Sequence, residues 1–375
     1  MNRLSASVLL VLLTALNSRA FGQSGQRWSE SQADRWYRQQ PWLVGSNYIP
    51  ATAINELEMW QAETFDPKQI DKELGWAEDI GMNTMRVFLH DLMWQDPEGS
   101  RKRIDLFLTI AAKHHIRPLF VLFDSCWDPN PKLGAQHPPI PGGHNSGWLQ
   151  SPGREALSES SQYSRLKTYV TGIVGAFASD SRILGWDIWN EPDNPNTAYA
   201  KEELKDKATY VAKLLPQAFA WAREAHASQP LTSGVWEGDL SSFDKASPVA
   251  KIQLSESDVI SFHDYEWPEG FEQRVRYLQA YHRPLICTEY MARGAGSTFD
   301  TILPLAKKYN VAAINWGLVV GKTQTNLPWD SWIRPYTLYE PTIWFHEVFR
   351  PNGKPYRERE AQLIRELTAS NKTAQ

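Results

Sequence analysis

Ile183-Leu184-Gly185-Trp186-Asp187-Ile188-Trp189-Asn190-Glu191-Pro192 is an apolar run of strand length that ends in polar residues. Nearly continuous apolar runs suit strands buried on both faces of a parallel sheet. Seven more runs of this kind recur along the chain: Trp42–Ile49, Asn83–Leu89, Arg117–Phe123, Leu231–Trp236, Val259–His263, Leu285–Glu289 and Ala312–Trp316. Most are followed by a helical pattern. Asp66-Pro67-Lys68-Gln69 offers a helix cap and a proline at the first helical position, and Gly81 offers a stop. Ile70, Leu74, Ala77 and Ile80 keep one apolar face between them. Leu166, Val170, Ile173 and Phe177 repeat the pattern, as do Leu204, Val211, Leu215, Phe219 and Ala222. The stretch from Asp239 to Ser257 reads as only weakly helical. Eight strand–helix units predict an α/β fold, a single (β/α)8 TIM barrel. A doubly wound sheet would call for a glycine-rich first turn, and Asn47-Tyr48-Ile49-Pro50 stands there instead.

Two connections are unusually long. More than thirty residues, with six Pro and five Gly, separate Asp124 from Ser161, and a second segment runs from Gly317 to Glu340. Loops of this length are uncommon unless they are functional. They follow strands three and eight, so both are expected at the C-terminal face, where barrel sites lie.

The rest of the composition bounds the function. The 375 residues carry 39 Lys+Arg against 43 Asp+Glu, a net charge of −4, so no basic face for a phosphate backbone is expected. Residues 1–22 read as a secretory signal: Arg3 precedes the apolar stretch from Val8 to Leu16, and Ser18 and Ala20 supply small residues near its end. That stretch is too short to span a bilayer. The expected location is secreted or periplasmic, with no membrane association after cleavage. Cys126 and Cys287 permit one bridge arithmetically, though Cys287 sits in an apolar run and reads as a small buried hydrophobe. Two Cys without clustered His give no zinc site. Gly317 to Thr323 imitates a phosphate loop but is one residue short between its glycines. The 17 Trp are an excess over what a core needs and suggest flat faces offered to sugar rings.

Polar residues gather where the strands run out. Strand two carries Arg86, strand four ends in Asn190-Glu191, strand five in Trp236-Glu237, strand six in His263-Asp264-Tyr265, strand seven in Glu289 and strand eight in Trp316. In this order the residues resemble glycoside hydrolase family 5, the cellulase family, within clan A of the retaining β-glycosidases. The resemblance runs from about Trp42 to Phe349. One position departs: that family usually has a His at the end of strand three, where Asp124-Ser125-Cys126-Trp127 stands here.

The resemblance implies that residues 23–375 form one catalytic domain, a monomer that needs no cofactor and no metal. It implies an exported, cellulase-like retaining enzyme hydrolysing the O-glycosidic bonds of a β-linked polysaccharide or its oligosaccharides, β-1,4-glucan or mannan. A β-1,4-xylanase, a transglycosylase or a non-catalytic sugar-binding barrel would share the same frame. Glu191 is then the acid/base and Glu289 the nucleophile, with Arg86, Asn190, His263, Tyr265 and Trp316 shaping the site. Glu237 is expected to bind a hydroxyl. Trp127, Trp148 and Trp329 are expected to wall the cleft and stack on sugars, and a cleft walled at one end favours chain ends. The chemistry fits these residue types. Two carboxyl groups about 5–5.5 Å apart can protonate a leaving oxygen and attack the anomeric carbon. Arg86 and Tyr265 would keep one of them ionised, and the neighbouring anion would keep the other protonated.

Overall fold

The computed structural model describes residues 25–369, so the expected leader over residues 1–22 lies outside them. Eight parallel strands form the sheet: β1 Val44–Tyr48, β2 Thr84–Phe88, β3 Arg117–Asp124, β4 Gly185–Asn190, β5 Leu231–Thr232, β6 Ile260–His263, β7 Leu285–Glu289 and β8 Ala312–Asn315. Their order is β5-β4-β3-β2-β1-β8-β7-β6, a TIM barrel wound in chain order. Pairing of β1 with β8 brings Ser46 opposite Asn315 and joins the two halves.

The barrel closes between β5 and β6 through a single bridge, Val235 to Phe262. The sequence predicts a strand from Leu231 to Trp236, but regular pairing stops at Thr232. Side chains replace the ladder there. The Thr232 hydroxyl accepts from the Ser261 N–H at 3.2 Å, and the Ser233 N–H donates to the Ser257 hydroxyl at 3.1 Å.

The helix over Pro67–Asp79 forms as its signals demand, with the Asp66 carboxylate accepting from the Gln69 N–H and Ile70, Leu74 and Ala77 buried. Gly81 follows at φ +87, where a Cβ would sit 2.1 Å from the Thr368 hydroxyl, so only glycine fits. A two-turn helix, Pro248–Glu256, fills the link expected to be weakly helical. Ser247 caps it, but Gln253 occupies its buried face and hides the apolar stripe. That amide donates to the Gly234 carbonyl at 2.6 Å, so it is a satisfied polar group under the incomplete β5 edge.

The N-terminal pole of the barrel is plugged by the helix Glu30–Arg38. Its Ala33 and Tyr37 join Leu43, Leu119, Leu184 and Ile286 in one buried cluster. The opposite pole carries the polar strand ends and both long loops. Among the described residues no helix is long and apolar enough to cross a membrane.

Candidate active site

Arg86 is the fixed point of the site. It is fully buried in β2, and its guanidinium is spent on four partners. Nε donates to Asp187 at 2.9 Å, Nη1 to Glu289 at 2.8 Å and to Asn47 at 3.0 Å, and Nη2 to Asn190 at 2.7 Å. A buried cation is tolerated only when paired in this way. Because Asn190 accepts from Arg86 through Oδ1, its amide orientation is set. Nδ2 then donates to Asp124 at 2.9 Å and faces the cavity.

Glu289 ends β7 with both oxygens engaged. Oε1 accepts from Arg86 and Oε2 from the Tyr265 hydroxyl at 2.9 Å. Glu191 follows β4 with φ +40, a left-handed conformation that costs on the order of 1–3 kcal/mol and turns its side chain over the strand ends. Its Oε2 accepts from Asn194 at 2.5 Å and from the Cys126 thiol at 3.3 Å. Its Oε1 lies 2.8 Å from His263 Nδ1. One oxygen of each carboxyl group and a His263 ring nitrogen all lie within 4.8 Å of one another.

Burial pushes both carboxyl groups above the usual carboxylate range. For Glu191 the nearby Asp193 adds to this, and for Glu289 the charge of Glu191 does. The partners break the tie. Glu289 holds a guanidinium and a phenol, which favour the anion. Glu191 holds an amide, a thiol and an imidazole that burial lowers to about 4 and keeps neutral. These partners favour the negative charge on Glu289 and the proton on Glu191, and once Glu191 is protonated it no longer raises the pKa of Glu289. Three such groups at this spacing could also bridge a divalent cation, but their oxygens are already taken and Arg86 supplies the local positive charge. The set fits an acid pair better than a metal centre.

Asp124 stands where the resemblance led to a His. Burial raises its pKa to about 6. It accepts from Asn190 and from the Cys126 N–H through Oδ1, and from the Trp148 indole through Oδ2 at 2.7 Å. It thus ties the β3 loop to β4. Cys126 and Cys287 are both free, and Cys287 is fully buried.

A cavity of about 680 Å³ opens above the two acids, lined by Trp127, Trp148, Asn190, Trp316 and Trp329 among others. Arg86 and His263 lie beneath its floor rather than in its wall, and Tyr265 is in the wall. Glu237 is solvent-exposed and outside the lining. Trp236 takes that place, its indole held by Asp193 at 2.9 Å. His144, one of the residues that mark the long connection after β3, lines the cavity, and so do Asn194, Asn145 and His346, to which the sequence did not point. The Trp excess divides: Trp60, Trp186, Trp189 and Trp344 are core, while six others face the cavity.

Trp329 and Trp148 should behave differently when cut back. Trp329 is 44% exposed, so Trp329→Ala should weaken substrate binding by roughly 1–3 kcal/mol and leave the thermal midpoint near native. Trp148 is only 3% exposed and packs edge-on against Phe88 and Trp316. Trp148→Ala should therefore also cost about 3–5 kcal/mol of stability. Calorimetry beside steady-state kinetics separates the two. An unchanged midpoint for Trp148→Ala would contradict its packing role.

Residues 142–320 match the family described as Cellulase (glycosyl hydrolase family 5), a span that includes both Glu191 and Glu289. No curated protein sequence matches the chain. Among solved structures it is similar to an exo-β-1,4-mannosidase from Opitutaceae bacterium strain TAV5, with a TM-score of 0.58 and 18% identity over 88% of this chain. The chain spans 60% of that protein's length. It is also similar to the GH5_18 protein of Streptomyces cattleya in complex with GlcNAc, with a TM-score of 0.60 and 12% identity over 89% of this chain and 81% of that one. An endo-1,4-β-mannanase from Rhizomucor miehei aligns with a TM-score of 0.58 and 12% identity, over 94% of this chain and 99% of that one.

Proposed function

We propose, from the match of residues 142–320 to glycosyl hydrolase family 5 and the fold shared with a mannosidase, that the chain is a glycoside hydrolase of that family, an exported retaining β-glycosidase working by double displacement, with Glu289 as nucleophile and Glu191 as acid/base. The observation that carries this reading is the pair of carboxyl groups with oxygens within 4.8 Å and opposite partners. That closeness supports a covalent route, since an inverting site needs room for a water between its acids.

Glu289, held anionic by Arg86 and Tyr265, attacks the anomeric carbon while Glu191 protonates the departing oxygen. The bond to sugar removes the charge of Glu289, so the pKa of Glu191 falls. The same carboxylate then takes a proton from the incoming water. Asn190, braced between Arg86 and Asp124, is placed to donate its second amide hydrogen to the sugar 2-hydroxyl in exchange for its long contact with the Cys126 sulfur at 3.6 Å. Trp316 offers a ring to the sugar face. The mannosidase and mannanase folds similar to this one favour β-1,4-mannosides over glucosides as substrate. The segment over residues 1–22 supports export to a secreted or periplasmic location, and the N-terminal sequence of the exported protein checks it.

Proton NMR of the first-formed anomer tests the mechanism. A β substrate should give β product first, and initial α product would rule out the covalent route. The pH dependence follows from the same pair. With a poor leaving group, kcat/KM should fall as pH drops through the pKa of Glu289 and fall again as pH rises through that of Glu191. Both limbs should lie above the ordinary carboxylate range, because burial raises both groups. Glu191→Gln assayed on an activated aryl glycoside should lose the basic limb. Persistence of that limb would assign the acid elsewhere.

A further inference from the structure

The two long loops do not stand apart over the cavity; they are sewn together. The Asn145 N–H donates to the Thr323 carbonyl at 2.7 Å, the Trp332 indole to the His144 carbonyl at 2.7 Å, and the Tyr336 N–H to the Gly142 carbonyl at 3.1 Å. The joined loops are also anchored over the first strand. The Asn55 amide donates to the Gly147 carbonyl at 2.8 Å, and the Lys322 N–H to the Ala51 carbonyl at 3.1 Å. This seals the side of the cavity above β1 and β2. Within the seal Trp148 stands edge-on to Trp316, ring centroids 5.8 Å apart, and fills the space next to the sugar platform. The side past Glu191 is held less closely: Trp236, bonded to Asp193, has no hydrogen bond to either long loop among the described residues, and Glu237 beside it is exposed. That side is bordered by residues 194–198, Trp236 and Ile333, the last 81% exposed.

The acid fixes which part of a substrate meets the seal. Glu191 protonates the departing oxygen, so the leaving group extends past Glu191, away from the seal. The sealed end therefore faces the sugar that becomes bonded to Glu289.

Two buried side chains that line the cavity have polar atoms without partners among the described residues. Asn145 is 1% exposed, lines the cavity, and neither its Oδ1 nor its Nδ2 has a hydrogen-bond partner among the described residues. A buried amide left unpaired is costly, and substrate hydroxyls would satisfy it. His346 also lines the cavity. Its Nδ1 lies 2.6 Å from the Met291 carbonyl and must donate to it, which leaves Nε2 a bare acceptor with no partner. Burial keeps this ring neutral.

Resting on the retaining reading above, we propose that the enzyme is exo-acting. It removes one terminal sugar from the non-reducing end of a β-1,4-linked chain, and Asn145 and His346 read that sugar's free hydroxyls. A chain-end residue has a free 4-hydroxyl to offer. An interior residue carries another sugar at that position, which the sealed end cannot admit.

Borohydride-reduced β-1,4-mannopentaose and cellopentaose test this, because the reduced end marks each fragment. The first products should be free monosaccharide and the reduced tetramer. A first reduced product shorter by two or more units overturns the exo inference while leaving the retaining reading intact. No hydrolysis of either pentamer or of 4-nitrophenyl β-glycosides, with the protein folded, would overturn both. Asn145→Ala should lower kcat/KM on the pentamer by 10- to 100-fold, with only the small drop in thermal midpoint expected because its left-handed backbone, φ +49, suits Asn better than Ala. On 4-nitrophenyl glycosides lacking the 3- or 4-hydroxyl, the native enzyme should lose activity and its advantage over Asn145→Ala should shrink for at least one of them. An equal advantage on both deoxy substrates and on the parent glycoside would remove Asn145 from hydroxyl recognition.

Discussion

Glu289→Ala is expected to lower kcat/KM on every β-glycoside by about a hundred-thousandfold, equivalent to about 7 kcal/mol of transition-state stabilisation. The loss should be the same for good and poor leaving groups, because without this carboxylate no covalent intermediate forms whichever bond is breaking. Added azide can fill the vacated space, but it attacks from the face that Glu289 occupied. A β substrate should then give an α-glycosyl azide, and native β product should not return. The variant should fold, although Arg86 loses one of its two carboxylate partners, because Asp187 remains bonded to it. A thermal midpoint measured beside the kinetics separates loss of chemistry from loss of fold. Activity within a hundredfold of native would remove Glu289 from the nucleophile's role.

Glu191→Ala should split the substrates instead. On oligosaccharides, whose departing oxygen needs a proton, kcat/KM should fall by about 10²–10⁴-fold, the usual worth of general acid catalysis. On aryl glycosides with a strongly acidic phenol the first step should be nearly spared. The glycosyl-enzyme should then accumulate, since no base activates water, and a burst of phenol should precede a slow steady state. Azide needs no base and arrives on the face opposite Glu289, so it should speed turnover and yield a β-glycosyl azide. If the two variants respond alike on both substrate types, the assignment of roles fails.

The parts of this molecule that were legible in its sequence share a physical cause. A strand buried on both faces must be apolar along its length, so β2, β3, β4 and β7 announced themselves. The polar residues ending those strands read as a site, because that pole of a barrel is where side chains meet substrate. Arg86, Asn190, Tyr265 and Glu289 came together as their positions implied. What stayed hidden depends on distant contacts. The helix over 248–256 is masked by Gln253, whose amide is satisfied by a backbone carbonyl of the barrel wall. At β5 the strand gives way at Ser233-Gly234, and strand alternation no longer tells which of Trp236 and Glu237 faces inward. Asn145 and His346 lie in connections with no periodicity, and only the meeting of two loops brings them over the strand ends. Asp124 was visible as a departure, yet its part in bracing Asn190 and Trp148 needs the folded β3 loop.

The claim on which the rest depends is that Glu289 forms a bond to sugar. A 2-deoxy-2-fluoro-β-mannosyl fluoride tests it, with the glucosyl analogue beside it. The fluorine slows both steps, and the fluoride leaving group restores the first without help from an acid. Mass spectrometry of the intact protein should show one added fluorosugar, and peptide mapping should place it on Glu289. Label on Glu191, or turnover of the reagent with no covalent adduct at any time, would contradict the account.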